Sequence, residues 1–401
     1  MTETNTAALI ATAQETQQYV VGIRQHLHQY PEVRWEEEKT LIYIRHQIGQ
    51  LLADIAGFDA KAHVVELKGG LVVDVNINPS FDRILLRSDV DALPGIQEAT
   101  GLPFASKISG KMHACGHDTH AAMLLGALKA IAEGKVQPKH NLRFVFQRAE
   151  ENPLTESGGA SLVKEGVLNG ISEAHALHIW ADGKAGSFIG KAGNFTANSD
   201  RVKVTIKCNG GHVAFPENGT SAVDIGADIV VAMRGLAVRT IGPNRPVSLA
   251  PAVFQSGEGS NVLPAGAELW FACRNYLLPA ERSKFHATVK KHIETVATQY
   301  ADAVVTVEVI NGHPVMANSQ GAYDETLQLL QAAGQTTETM EPSLGGEDFA
   351  WYSQSQGGVP SSMWMLGANQ PGCGGHHKST FNPDESVFWK GVLFWLLIAT
   401  K

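Results

Sequence analysis

The chain has 401 residues, 44 % apolar and 18 % charged, and carries a formal net charge of −8. That length suits two domains better than one core. Its charges are mixed in sign with no basic cluster, which excludes a nucleic-acid backbone as partner, and its longest apolar run, 392–399, is too short to cross a bilayer.

The first twenty residues lack a basic segment followed by an apolar one, so residence in the cytoplasm is the expectation. Helical spacing runs from about Thr12 to Leu27, and Pro31 ends it. A second helix is predicted over Glu36–Leu52. Strands are predicted at 71–77 and 83–92, joined by a turn at Asn78-Pro79-Ser80. A helix begins at His120 and stops at Gly134. The segment 142–147 reads as a strand, then a short loop and a helix, and 175–180 as another strand. Strands alternating with helices argue for an α/β domain. The texture changes near Gly186–Asn198. Beyond it, strands at 202–208, 247–254, 267–274 and 304–310 and helices at 222–235 and 279–297 form an α+β insert. The α/β texture resumes near Tyr323. The expected organisation is a discontinuous catalytic domain, 1–196 and 313–401, carrying an inserted domain, 197–312.

The stretch MHACGHDTH, residues 112–120, concentrates metal-ligand chemistry. Cys115 and His117 straddle Gly116, a spacing that can aim both side chains to one side. Alone, the pair suits a core position as well as a metal site. Glu150 and Glu151 follow an apolar strand, at the edge where open α/β sheets bind ligands. Adjacent residues on an extended chain point opposite ways, so the two are expected to do different jobs, one binding metal and one moving a proton. A solvated acidic helix start is the plain alternative. His175 and His178 lie on a short strand, His376 and His377 in a glycine-rich loop. Together these residue types match what a two-metal hydrolase needs. Two divalent ions acidify water from a pKa of 15.7 to about 7, and a neighbouring carboxylate carries the proton. The four cysteines, Cys115, Cys208, Cys273 and Cys373, are too widely spaced for a disulfide framework. Cys208 and Cys273 read as strand or core residues.

These motifs resemble a known family. LRSDVDALP, MHACGHDTHAAMLLGA and QRAEE look like the aminoacylase-type metallopeptidases: hippurate hydrolases, N-acyl-amino-acid amidohydrolases and auxin-conjugate hydrolases of peptidase family M-twenty, subfamily D. RQHLHQYPE at 24–32, GGHVAFP at 210–216, GSNVLPAGAELWFACR at 259–274, GGEDFAWY at 345–352 and HHKSTFNPDE at 376–385 extend the likeness over nearly the whole chain. The resemblance implies a zinc-peptidase-like mixed-sheet catalytic domain with an inserted α+β lid of the dimerisation type. It implies two divalent ions, zinc or manganese, on Cys115, His117, Glu151, His178 and His377. His377 is preferred over His376 because the family's ligand stands four residues before an aromatic, here Phe381. Glu150 is implied as general base and acid, His212 as oxyanion donor, and Asn261 and Arg274 as holders of the substrate carboxylate. Asp89 and Asp91 are expected to orient the ligands, with strand termination as the plain alternative.

The expected substrate is a small N-acyl amino acid or related conjugate. A dipeptidase or carboxypeptidase, a non-catalytic metal-binding homologue and a cysteine-nucleophile enzyme using Cys115 and His117 are the rivals. The insert's strand edges leave a homo-oligomer open. Two departures lie beside the glutamate pair: Arg148 stands where the family usually has proline, and the segment after the pair is longer than usual at Asn152–Ser157.

Overall fold

The computed structural model describes residues 3–53, 62–152, 156–341, 343–353 and 356–401. Within the lengthened segment, residues 153–155 lie outside the described residues. The chain folds as two compact units, Met1–Phe195 with Ala317–Glu341 and Asp348–Lys401, and Thr196–Met316 with Pro342–Glu347.

The first unit is built on an eight-stranded mixed sheet. Its order is Ala62–Leu67, Gly70–Val75, Asn141–Gln147, Arg83–Asp89, Ile171–Trp180, Ser361–Gly367, Phe188–Gly190, Thr337–Thr339. The four strands from Asn141–Gln147 to Ser361–Gly367 are mutually parallel. Near-continuous burial of these strands is what a sheet covered on both faces requires. Their carboxyl ends, Asp89, Gln147, Trp180 and Gly367, therefore share one edge.

Helix His117–Ala132 follows that edge, and its residues through Leu128 are all buried. The predicted start at His120 is three residues late. Gly116 caps the helix in the left-handed region (φ 95°), and a Cβ there would lie 2.3 Å from Ile179 Cγ2. The predicted first helix is two, Glu3–Glu15 and Gln17–Gln29. Between them the Thr16 hydroxyl donates to Ala13 O, a local bond that competes with helix continuation. Helix Phe388–Ala399, the apolar run of the sequence, is almost wholly buried core. Among the described residues no helix is long and apolar enough to cross a membrane.

The second unit has a four-stranded antiparallel sheet ordered Val247–Ser256, Gly266–Asn275, Asp200–Lys207, Val304–Ile310. Val202, Val204 and Ile206 are buried while the residues between them are partly exposed, the period-two pattern of a sheet with one face covered. Helices Ala222–Met233 and Pro279–Ala297 supply the covering residues Ile225, Ile229, Phe285, Val289 and Ile293.

Candidate active site

The first unit gathers the predicted ligands at the carboxyl edge of its sheet. Cys115 Sγ lies 3.6 Å from His178 Nε2. Ligand atoms of Cys115, His117 and His178 fall within 4.8 Å of one another, and so do those of Cys115, Glu151 and His377, and of His117, Glu150 and Glu151. Cys115, His117, Glu151, His178, His377 and Glu150 thus form one connected constellation.

The glutamate pair reaches it by a route the extended-chain argument missed. The strand ends at Gln147, and the pair sits in a turn. Ala149 has φ 52°, a conformation that a residue with a Cβ avoids at a cost of about 1–3 kcal/mol. This kink turns both carboxylates toward His117 instead of sending them to opposite faces. His377 is likewise a non-glycine residue at positive φ (63°). Two strained residues at one site are the pattern of backbone held for function.

Asp91 bridges the site from behind. Its Oδ1 lies 3.0 Å from His117 Nδ1, and its Oδ2 accepts from Glu151 N at 2.8 Å. The proton between Asp91 and His117 belongs on Nδ1, because both carboxylate oxygens then accept. That leaves His117 Nε2 for a ligand, and this buried atom has no hydrogen-bond partner among the described residues. Asp89 accepts from Arg87 Nη1 (2.8 Å) and His120 Nδ1 (2.5 Å). His120 Nε2 in turn accepts from Ile179 N at 2.8 Å, which ties the helix of His117 to the strand of His178. His178 Nδ1 donates to Ile179 O, leaving Nε2 for the site. His175 faces elsewhere, toward Ser362 and Glu173.

His376 and His377 both border the cluster, His376 with its Nδ1 3.9 Å from Cys115 Sγ, but their other contacts differ. His376 Nε2 accepts from Ala181 N at 3.1 Å, and its ring stacks on Trp180. His377 Nε2 lies 3.2 Å from Glu151 Oε1, yet that oxygen lacks hydrogen-bond geometry to any described residue.

The electrostatics ask for cations. Burial, then the charges of Glu151, Glu150 and Asp89, hold the Cys115 thiol well above its ordinary value. Burial alone would lower His117, but the Asp89 charge and the Asp91 contact outweigh it and push it up to about 10. Burial opposes ionisation of Glu151, and the neighbouring His377 and His117 reverse that. A dense set of acids, imidazoles and one thiol, buried at His117 and His178 and open to solvent at His377, fits divalent ions, which deprotonate a coordinating thiol. Glu150, 8 % exposed, accepts from Asp348 N at 3.3 Å. Asp348 is itself fixed by Arg87 (2.6 Å), Gln147 (2.8 Å) and Gly159 N (2.8 Å).

The second unit carries the other predicted residues. His212 is exposed and pairs with Val262 across a two-stranded ribbon. Ala214 N donates to its Nδ1 at 3.1 Å, so the ring hydrogen sits on Nε2 as an outward donor. Asn261 adjoins it, its carbonyl accepting from Val213 N. Arg274 lies on Gly266–Asn275, with its guanidinium against Gly346, where a Cβ would come within 2.7 Å of Nη1. Burial and the charge of Arg274 lower the neighbouring Arg201 below its ordinary value.

The model for Peptidase family M20/M25/M40 matches residues 85–401. The chain belongs to this family. It is 30 % identical over 390 residues to thermostable carboxypeptidase 1 of Saccharolobus solfataricus, covering 96 % of each chain. It is 32 % identical over 388 residues to N-acetyl-L-cysteine deacetylase of Bacillus subtilis, covering 94 % of this chain and 86 % of the relative. Among solved structures it superposes on the Bacillus subtilis YXEP protein, a dinuclear metal-binding peptidase, with a TM-score of 0.79 at 26 % identity, covering 96 % and 98 % of the two chains. The chain is accordingly a hydrolase of amide bonds with the family's mixed-sheet fold, and divalent metal is its cofactor class.

Family membership does not explain every residue at the site. The sequence reading gave no role to Arg24, His28 or Asp118, yet they form a buried network at the first turn of the His117 helix. Asp118 accepts from Arg24 Nε (3.1 Å) and His28 Nδ1 (2.8 Å), and Arg24 also reaches Glu385 (3.0 Å). The opening and closing motifs thereby meet at the start of the His117 helix. His120 and Glu37 were also missed. Arg148, the departure before the pair, turns toward Glu66 at 3.5 Å. All four cysteines are free. Cys273 is fully buried, and Cys208 and Cys373 are half-buried with their thiols on backbone carbonyls.

Proposed function

We propose that this chain cleaves the amide of N-acyl amino acids or related amino-acid conjugates, with two divalent ions, zinc or manganese, held by Cys115, His117, Glu151, His178 and His377. The observation that carries this reading is the convergence of those five side chains with Glu150 at one sheet edge, including the unpartnered Nε2 of His117. When bound, the ions supply Lewis acidity that polarises the scissile carbonyl and acidifies water. Glu150, anchored through Asp348 N, takes the proton of the attacking water on a carboxylate oxygen and passes it to the leaving amine. His212 Nε2–H stabilises the developing oxyanion. Arg274, with Asn261, binds the substrate carboxylate through its planar fork. The inserted segment, 197–312, acts as the lid that presents these groups.

Turnover of a panel of N-acyl amino acids and dipeptides by metal-stripped protein, with and without added zinc or manganese, tests the reading. Metal-restored release of free amino acid from the N-acyl compounds is expected. No product with any metal would overturn it. The likeness to a carboxypeptidase favours a second reading, peptide cleavage, and preferential release from dipeptides would select it. Glu150→Gln is expected to abolish turnover with metal content retained, and retained activity would remove Glu150 as the base. Arg274→Ala is expected to raise KM for substrates with a free carboxylate, and an equal rise for their esters would remove its role.

A further inference from the structure

Glu37 immediately precedes helix Glu38–Ala53, yet its carboxylate does not cap that helix. Glu32 does so instead, accepting from Thr40 N at 2.8 Å and from its hydroxyl at 3.0 Å. Glu37 is free to face inward and is fully buried. Its Oε1 accepts from Ala149 N at 2.7 Å. Its Oε2 is buried with no hydrogen-bond partner among the described residues. A buried carboxyl group is costly, and beside the backbone N–H groups of its own turn, Glu37 and Trp35, this one reaches across to the N–H of a residue at φ 52°. That residue directly precedes Glu150 and Glu151. Two residues on, Asp91 accepts from Glu151 N. The turn is thus clamped at both ends by carboxylates, one of which also holds His117.

We propose that Glu37 is a positioning residue: by holding the Ala149 N–H, it keeps the left-handed kink that brings Glu150 and Glu151 to the same metal cluster. This rests on the metal and base roles proposed above. Without the bond, Ala149 relaxes toward ordinary backbone, and the following carboxylates diverge as they do on extended chain. What matters is an acceptor at that point in space, not charge.

The test measures metal affinity by competition with a chromophoric chelator, well below the melting temperature, together with kcat and KM. Glu37→Ala is expected to weaken metal binding about ten- to a hundredfold and to lower kcat with KM little changed. Glu37→Asp keeps a carboxyl group but withdraws the oxygen by one carbon–carbon bond, and should lose affinity like Glu37→Ala. Glu37→Gln keeps an acceptor oxygen in place and should stay within about twofold of wild type. Adding Ala149→Gly to Glu37→Ala should recover most of the affinity, because glycine adopts positive φ without the clamp. A merely structural role would lower the melting temperature and leave affinity and kcat unmoved, which overturns the proposal. So would the reverse order, Asp tolerated and Gln not. Should Glu37→Ala fail to fold, the Asp and Gln variants decide alone. Wild-type protein that binds no metal and turns nothing over sinks the functional reading itself. Metal-dependent wild-type turnover with unchanged Glu37 variants sinks only this inference.

Discussion

Asp91→Asn probes the site with the smallest change of shape. Both carboxylate oxygens of Asp91 accept, one from His117 Nδ1–H and one from Glu151 N–H. Asparagine offers one oxygen and one NH2, so either orientation sets a donor against a donor. The backbone N–H of Glu151 cannot adapt, whereas imidazole can change tautomer. The amide oxygen should therefore keep Glu151 N–H, and its NH2 should turn His117 into an Nδ1 acceptor. The hydrogen then moves to Nε2, the atom left free for a ligand. For Nε2 to take a metal the hydrogen must return to Nδ1, which gives up the bond to residue 91, at about 1.5–3 kcal/mol for a bond that involves a charged group. At 1.4 kcal/mol per decade that is about a ten- to hundredfold loss of metal affinity. Metal content after graded chelator dialysis, measured by mass spectrometry alongside circular dichroism, reads it directly. A folded Asp91→Asn protein that keeps wild-type affinity would refute the tautomer argument.

Two further outcomes follow from the charges. Stripping metal should abolish turnover and lower the melting temperature, because an ion present at a hundred times its Kd contributes about 2.7 kcal/mol; an unchanged Tm after confirmed stripping would mean the cluster holds no ion. Glu173 is depressed from an ordinary value near 4.5 to about 2: burial opposes this, but the His175 contact and the Lys401 charge outweigh it. A depressed folded pKa stabilises above the unfolded value and loses that stability as pH falls through the folded one. Glu173→Gln should therefore be less stable than wild type at neutral pH by at most about 3 kcal/mol, with the gap closing between pH 4.5 and 2. A gap independent of pH in denaturant titrations would contradict that linkage.

The constellation was legible because cysteine, histidine and paired acids are scarce, and their places at strand ends survive without knowing the fold. His178 and His377 needed the resemblance, because each has a neighbouring histidine that spacing alone does not exclude. The Ala149 kink was not legible. Alanine is an ordinary helix or strand residue, and only the Glu37 bond and the carbonyl contacts of distant chain hold it at positive φ. Glu37 itself sits in a run of three glutamates, where sequence suggests a solvated helix start. The motif GGEDFAWY reads as one piece, yet Gly345 to Glu347 group with the inserted unit and Asp348 with the sheet. No local pattern marks a unit boundary inside a motif. The helix break at Thr16 escaped for a related reason, since a single hydroxyl-to-carbonyl bond decides it.

The turn's other support is steric, and it yields a sharper test than removing a ligand. Gly158 opens helix Gly158–Lys164, and a Cβ there would lie 1.7 Å from Arg148 O and 2.7 Å from Arg148 C. Backbone cannot swing aside as a long side chain does, so something must move. The helix start is anchored, because Gly159 N bonds Asp348, which Arg87 and Gln147 fix. The strand end is anchored, because Arg148 N bonds Gly69 O. What remains is the carbonyl of Arg148 and the turn after it, which carries Glu150 and Glu151. Gly158→Ala should thus cost about 1–3 kcal/mol of stability, as overpacking does, and weaken metal binding as well. Gly49→Ala, in helix Glu38–Ala53 with nothing within 4 Å of the new Cβ, should instead stabilise by up to about 1 kcal/mol and leave affinity alone. If Gly158→Ala lowered the melting temperature but bound metal as wild type does, the helix would have yielded instead of the turn. The glutamate pair would then owe its position to Glu37 and Asp91 alone.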